Sequence, residues 1–112
     1  MELFDPKKEK YITKGIDAAI PVDYQIRIFN AIEEWYQKGV QLDYLQVFKL
    51  LVEKDDEGNT IQVIRHSQEV PELQEEIRFH IVGAGVTNQI FAIDDGAKYY
   101  TMLLRSEYWL GL

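Results

Sequence analysis

The densest run of hydrophobic positions is the segment Leu42–Val52, which reads LDYLQVFKLLV. Its β-branched and aromatic residues, with turn signals on both sides, favour a strand over a buried helix. A strand points successive side chains to opposite faces, and here both sets are largely apolar. A strand with one face in water would be apolar on one set only. We therefore predict a central strand, with a helix over one face and further sheet curving over the other.

A second hydrophobic pattern has the periodicity of a helix and extends over Pro21–Lys38. Proline suits the first turn of a helix, and Gly39 suits the position just beyond its end. At about 100° per residue, the apolar side chains cover an arc of roughly 220°, which is wider than the usual core-facing stripe. We therefore expect the sheet to leave the flank near Tyr24, Ile28 and Trp35 half covered, so that either the C-terminus and the strand loops cover it or it forms a partner site.

Shorter strand-like runs precede and follow these segments, and polar turn formers join them into two hairpins. The predicted strands are Lys10–Ile16, Thr60–Val70, Ile77–Val82, Gln89–Ile93 and Lys98–Arg105, and the turns are Asp55–Asn59 and Asp94–Ala97. These elements predict an α+β fold, with one amphipathic helix packed on a curved antiparallel sheet of five or six strands. The alternative is a small, partly open β-barrel with the helix plugging one end.

The length of 112 residues suits one domain. We assign residues 10–112 to a single α+β domain and residues 1–9 to a flexible N-terminal tail. The largest basic cluster lies between positions 7 and 10, where Glu9 interrupts it, and we expect a solvated run there. The formal net charge of −7 argues against a nucleic-acid partner, because that affinity depends on clustered lysine and arginine.

The absence of cysteine excludes disulfides and thiolate chemistry. No apolar run approaches the roughly 20 residues that cross a bilayer, so we expect no membrane partner. The first residues lack the basic-then-apolar order of a signal peptide. We therefore expect a cytoplasmic location.

The polar residues that could form a chemical site are concentrated in the second half of Thr60–Val70, where the pattern predicts a sheet edge or rim. Histidine and carboxylate stand three positions apart at His66 and Glu69, and on a strand such positions point to opposite faces. Zinc needs three or four converging ligands. We therefore expect no metal, no cofactor and no catalytic residue, and interpret His66 as a hydrogen-bonded rim histidine. The alternative is a polar site for a small ligand or a reaction near Arg65, His66 and Glu69.

Aromatic residues near the end of the chain are its least ordinary feature. Tyr108 and Trp109 are adjacent there, and tyrosine and tryptophan are enriched at protein interfaces. Together with Tyr24, Ile28 and Trp35 on the helix, they predict an interaction surface. We expect a small binding or accessory protein that acts through protein–protein contacts, with another protein or with itself as a homodimer. An acidic mimic of nucleic acid is a further alternative.

The order of several short motifs resembles that of a known family. These motifs are YITKGI, a helix opened by Ile20-Pro21, LDYLQVF, IRHSQEVP and AIDDG followed by YTMLL. Together they are similar to a small family of uncharacterised proteins, catalogued as a domain of unknown function and mostly from Gram-positive bacteria. The resemblance covers about Lys10 to Tyr108 and is sharpest at Leu42–Phe48 and His66–Pro71. It implies one intact domain and supplies no catalytic residues.

Overall fold

Six strands form one sheet in residues 1–108, the part of the chain that this computed structural model describes. The strands are β1 (Glu9–Ile12), β2 (Leu45–Lys54), β3 (Thr60–Gln68), β4 (Leu73–Ile81), β5 (Asn88–Ile93) and β6 (Tyr99–Leu104). The helices are α1 (Lys14–Ala19), α2 (Val22–Gln37) and α3 (Arg105–Tyr108). The strand order is β1-β6-β5-β2-β3-β4, with β1 parallel to β6 and the other pairs antiparallel. The α+β prediction is confirmed, and the sheet is open at β1 and β4 rather than closed into the alternative barrel.

Strand β2 lies between β5 and β3, which confirms the predicted central strand. Its side chains Gln46, Phe48 and Leu50 are buried on the face that α1 and α2 cover. Val47 and Leu51 point to the opposite face and are partly exposed. The prediction that further sheet covers this second face is wrong, because all six described strands lie side by side in one layer.

The predicted long helix is present as α2, but its predicted half-covered flank is wrong. Tyr24, Ile28 and Trp35 are 6%, 0% and 2% exposed, because Tyr24 packs on β4, Trp35 packs on β3 and Ile28 lies in the core between helix and sheet. The exposed apolar side chains of the helix are instead Val22 and Ile26. Neither α2 nor any other helix in the described residues is long and apolar enough to cross a membrane.

Two of the first nine residues, which we expected to form a flexible tail, are buried in the fold. Phe4 is 0% exposed, and its ring meets that of Tyr100 edge-on at 4.9 Å between centroids. Lys8 is buried as well, and its ammonium lies 2.8 Å from a carboxylate oxygen of Asp94. The prediction of a solvated basic run is therefore wrong for Lys8, because the turn after β5 supplies a buried partner for its charge.

Strand β1 is shorter than the predicted strand Lys10–Ile16, because Thr13 caps helix α1 instead. Glu107 of α3 accepts hydrogen bonds from the Thr13 hydroxyl at 2.6 Å and from the Gly15 N–H at 3.2 Å. A Cβ atom on Gly15 would lie 2.5 Å from the Glu107 carboxyl carbon. Gly15 therefore permits a close approach between α1 and α3 and does not form the bulge that a strand glycine suggests.

The other predicted strands and both hairpins are present, with shifted ends. The largest shift is in β4, which begins at Leu73 rather than at Ile77. Its first half pairs with the polar half of β3 in continuous register, from His66 opposite Glu75 to Gln68 opposite Leu73. The polar half of β3 is thus internal to the sheet, and β4 rather than β3 forms the edge.

Candidate functional site

A groove of about 290 Å³ lies between α2 and the strands β3 and β4. Its helix side consists of Arg27, Asn30, Ala31, Glu34 and Trp35, and its sheet side consists of His66, Glu75 and Ile77. This volume is at the lower limit of the range of about 300–1,000 Å³ that is usual for ligand pockets. Exposed polar and charged side chains surround two buried rings, those of Trp35 and His66.

The imidazole of His66 lies in an aromatic sandwich. The Trp35 ring stacks on one side with 3.6 Å between centroids, and the Phe48 ring stacks on the other with 4.3 Å. The interplanar angles are 18° and 17°. His66 is 1% exposed, and the two rings that cover it come from α2 and from the central strand β2. Three elements of the fold therefore fix the position of this ring.

Two buried glutamines fix the proton on the His66 ring. The Gln68 amide nitrogen donates to two backbone carbonyls, and its oxygen accepts from the Asp43 N–H at 3.1 Å and from the Gln46 amide nitrogen at 2.8 Å. Because the Gln46 nitrogen also donates to the Asp43 carbonyl, both of its hydrogens are used. The Gln46 oxygen is then the acceptor that lies 2.7 Å from His66 Nε2. The imidazole must therefore carry its hydrogen on Nε2.

The second ring nitrogen, Nδ1, is an acceptor without a hydrogen-bond partner. Within the described residues, it is a buried side-chain atom to which no protein group donates. His66 is among the residues that line the groove, but Nδ1 itself is buried, so a donor in the groove reaches it only if a lining side chain moves aside. Buried polar atoms are nearly always hydrogen-bonded, and one left open in a cavity calls for a donor. Nδ1 is therefore one fixed, buried acceptor beside the groove, and its donor is missing from the described residues.

Burial lowers the pKa of His66 from 6.5 to about 3. The neutral ring is thus the stable form at neutral pH, which agrees with the hydrogen-bond pattern. A general acid or base works best when its pKa lies near the working pH. His66 is therefore suited to accept a hydrogen bond, and not to shuttle protons.

We expect the free energy of unfolding to fall as the pH is lowered from 6.5 to 5, because only the unfolded chain protonates this histidine. The folded pKa is the lower one, so the stabilisation is complete above about pH 6.5 and is lost progressively toward pH 3. The slope approaches about 1.4 kcal/mol per pH unit below pH 6, which gives a loss of about 1.6 kcal/mol over this window. Urea unfolding at several pH values measures it.

Replacing His66 by glutamine should remove this slope, whereas the same change at His80 should leave it in place because His80 is exposed. Nuclear magnetic resonance provides a check that needs no variant. The ring signals of His66 should stay unchanged between pH 7 and 5. A titration of these signals near pH 6.5 would contradict the buried neutral ring.

The polar side chains around the groove are held by neighbouring residues. The Arg27 guanidinium lies over the Phe79 ring, 3.9 Å from its centroid. Glu75 accepts a hydrogen bond from the Trp35 indole N–H. Glu34 forms an ion pair with Lys38 at 2.9 Å. A ligand in the groove would therefore meet charges of both signs at its exposed end and an aromatic surface at its buried end.

The predicted polar site of Arg65, His66 and Glu69 does not assemble. Arg65 follows the opposite face of the sheet, where it pairs with Glu76 at 2.9 Å. Glu69 lies beyond the end of β3 and is exposed. The interpretation of His66 as a rim histidine is wrong too, because the ring is covered by Trp35. Within residues 1–108, no group of three or more potential metal-ligating side chains converges.

The predicted interaction surface is also divided by the structure. Its helix members Tyr24, Ile28 and Trp35 belong to the core. Tyr108 is half-exposed on the opposite side of the sheet, where its ring meets that of Phe91 edge-on at 5.6 Å. Trp109, the fifth member, lies outside the described residues. These residues therefore do not form one exposed patch.

Sequence reasoning missed most of the residues that define the groove. Arg27, Asn30 and Glu34 read as the wet face of a helix, and Glu75 lies before the predicted start of its strand. The central segment did contain one indication of the buried network beside the groove. Gln46 occupies the same face as Phe48 and Leu50, and a glutamine in an apolar series indicates a buried hydrogen-bond network.

Comparison with known proteins supports the resemblance seen in the sequence. A family model described as a staphylococcal protein of unknown function matches residues 9–107. The crystal structure of a protein of unknown function from Enterococcus faecalis is similar over 96% of each chain, with 30% sequence identity and a TM-score of 0.72. No curated protein matches the chain. The expected kinship with uncharacterised proteins of Gram-positive bacteria is confirmed, and the matches assign no activity.

Proposed function

The chain belongs to the DUF960 family, and we propose that it is a small-ligand-binding protein whose site is the groove beside His66. The observation that carries this proposal is the buried Nδ1 atom, which faces no protein donor in the described residues. A network of two glutamines holds that atom as an acceptor, although a simple apolar residue would fill the core at lower cost. Such an arrangement is useful when something outside the protein supplies the donor.

The groove defines the chemistry of the ligand. Its buried end accepts an N–H or O–H group at His66 and offers the edge of the Trp35–His66 stack to a planar or apolar body. Its exposed end presents Arg27, Asn30 and Glu34, which suit a polar group of either charge. The proposal is binding and not catalysis, because the pKa of His66 is lowered to about 3, far from the pH at which it could exchange protons.

Small donors paired with methylated analogues test this proposal. Adenine, uracil and tyramine each carry N–H or O–H groups, and methylation at one of these groups removes that donor while keeping the ring system. We expect at least one parent compound to shift the signals of Trp35 and His66 in nuclear magnetic resonance titrations. Its methylated analogue should bind at least about tenfold more weakly, because it leaves the buried acceptor unpaired.

A groove-filling variant gives the matched control. Ala31 lies on the helix side of the groove, and Ala31→Leu adds volume there without breaking the helix or the glutamine network. Ala18→Leu makes the same change on the exposed side of α1. Binding should be lost in the first variant and retained in the second. If no donor shifts the two rings at millimolar concentration, or if Ala31→Leu binds as well as the unaltered chain, the proposal is wrong.

The cytoplasmic location expected from the sequence remains part of this proposal. A small ligand that both donates a hydrogen bond and carries a polar group is typical of the metabolite pool inside the cell. Fractionation of cells that produce the protein would test the location directly.

A further inference from the structure

Strand β4 forms one edge of the sheet along its whole length. It has nine residues and pairs with β3 in continuous register from Leu73 to Ile81, without a bulge. No other strand in residues 1–108 pairs with its outer side. Natural edges are usually protected by being short, by bulges, by proline or by charged side chains. Strand β4, which reads LQEEIRFHI, is long and has no bulge and no proline, and its charged side chains are of both signs, so that two copies of this edge can complement each other.

We propose that a second copy of the chain pairs with this edge, antiparallel and around a two-fold axis at Ile77, so that the two sheets become one. The axis is perpendicular to the sheet, which keeps both helix-covered faces on the same side. Only residues that share a face can then lie opposite each other. Glu75, Ile77 and Phe79 share the helix-covered face, and Glu76 and Arg78 share the open face.

The charges of β4 select this register. With the axis at Ile77, Glu76 of each copy lies opposite Arg78 of the other, and the opposite charges meet twice. Moving the axis by one residue toward the start of the strand places Glu76 opposite itself. Moving it by one residue toward the end places Arg78 opposite itself. Since like charges directly opposite each other destabilise a strand pair, the edge is complementary to itself in one arrangement among these three.

The helix above the edge has the same self-complementarity. Trp35 contacts Glu75, and Arg27 lies over Phe79, so the middle of the helix flank that faces β4 lies beside Ile77. An axis at Ile77 therefore brings Arg27 of one copy to the end of the flank where Glu34 of the other copy lies. The Arg27–Glu34 pair therefore supports the axis at Ile77 independently of the Glu76–Arg78 pair.

The second copy also completes the groove beside His66. Glu75 and Ile77 line that groove, and both belong to the edge strand. The two grooves would therefore open toward the axis and toward each other. Strand geometry and charge support the dimer independently of any ligand in the groove.

Charge reversal on β4 tests the arrangement. Sedimentation equilibrium of the unaltered chain at micromolar concentrations should show a dimer. Glu76→Arg and Arg78→Glu should each raise the dissociation constant at least about tenfold, since each places like charges opposite each other twice. An equimolar mixture of the two variants should form a heterodimer, because Arg and Glu again face each other at both positions.

Two controls separate this interface from other effects of charge. Glu57→Arg makes the same charge change as Glu76→Arg, but in the exposed β2–β3 turn, and should leave the dimer intact. Nuclear magnetic resonance spectra should show that both β4 variants remain folded. A monomeric unaltered chain, β4 variants that still dimerise, or a mixture that stays monomeric would each overturn the proposal.

Cross-linking tests the axis even if the charge variants fold poorly. The chain has no cysteine, so Ile77→Cys introduces a single thiol at the axis, where two copies come within disulfide distance. Mild oxidation should link this variant into a dimer. Ile81→Cys is the matched control, because four residues from the axis in each copy separate its two thiols by about 26 Å. Equal cross-linking of both variants, or none in either, would overturn the register.

Discussion

Replacing Asp94 by alanine is expected to lower the free energy of unfolding by about 3–5 kcal/mol, the usual loss when one partner of a buried ion pair is removed. The Asp94 carboxylate is 0% exposed and accepts from the Lys8 ammonium at 2.8 and 3.0 Å. It also accepts from the Phe4 N–H at 2.7 Å and the Gly96 N–H at 2.8 Å. The alanine variant therefore leaves one charge and two amide groups without partners.

The loss of the Asp94 carboxylate should also alter the first residues of the chain. If residues 1–8 detach to let Lys8 reach water, the burial of Phe4 against Tyr100 is lost as well. Amide hydrogen exchange should then show loss of protection in this segment, and urea unfolding gives the free energy. Asp95→Ala, at an exposed neighbour, should cost less than about 1 kcal/mol.

A second substitution identifies the cause of the loss. If the unpaired charge of Lys8 dominates, adding Lys8→Met to Asp94→Ala should restore part of the stability, because the pair then contains no buried charge. A loss below about 1 kcal/mol for Asp94→Ala alone would show that the N-terminal segment contributes little to the fold. A double variant less stable than the single one would assign the loss to the amide groups instead.

The Lys8–Asp94 pair shows why the sequence predicts some parts of this molecule and not others. The two residues are 86 positions apart, and each stands in a stretch that reads as solvated turn or tail. Nothing in the local pattern marks either charge as buried. Long-range polar pairs of this kind depend on how the elements meet, and periodicity carries no information about that.

The elements that were predicted correctly depend on local signals. Helix α2 has a proline before it and a glycine after it, and β2 has apolar residues on both faces through most of its length. The β2–β3 turn is local too, because the Asp55 side chain accepts from the backbone N–H groups of Glu57 and Asn59 at 2.9 and 2.8 Å. The backbone hydrogen bond from Asn59 is the main cause that lowers the pKa of Asp55 to about 2.

The polar half of β3 was misplaced for a related reason. Polar residues such as His66 and Gln68 predict exposure when they are read singly, so the segment was expected at a rim. In the fold they are buried, because Gln46 on the neighbouring strand and backbone carbonyls supply their hydrogen bonds. The sequence shows that a residue is polar, but it does not show whether the fold supplies a hydrogen-bond partner for its side chain.

The aromatic sandwich at His66 contains one residue whose burial follows from the local sequence pattern and two whose contacts depend on how distant elements meet. Phe48 was predicted to lie in the core from the pattern of β2, and it does, at 0% exposure. Its partners could not be predicted, because His66 comes from another strand and Trp35 from the helix. The candidate site thus depends on a side chain whose burial the sequence shows and whose neighbours it does not.

Replacing Phe48 by alanine should lower the free energy of unfolding by about 3–5 kcal/mol, the usual cost of removing a fully buried aromatic ring. The ring lies between His66 of β3 and Ile90 of β5, so its loss leaves a cavity at the centre of the sheet. It also removes one half of the stack that orients the imidazole, 4.3 Å away. Urea unfolding followed by circular dichroism measures the change as a lower transition midpoint.

Phe91→Ala is the matched control, because the same truncation is made on the neighbouring strand β5 and on the open face of the sheet. Phe91 is already partly exposed, so its loss should cost about 1–2 kcal/mol. The difference between the two variants measures how strongly the helix-covered face outweighs the open face. A cost below about 1 kcal/mol for Phe48→Ala, or equal costs for both, would show that β2 does not carry the core. A large loss of unfolding free energy for Phe48→Ala alone would show that Phe48 belongs to the packing that holds His66 in its neutral, hydrogen-bonded position.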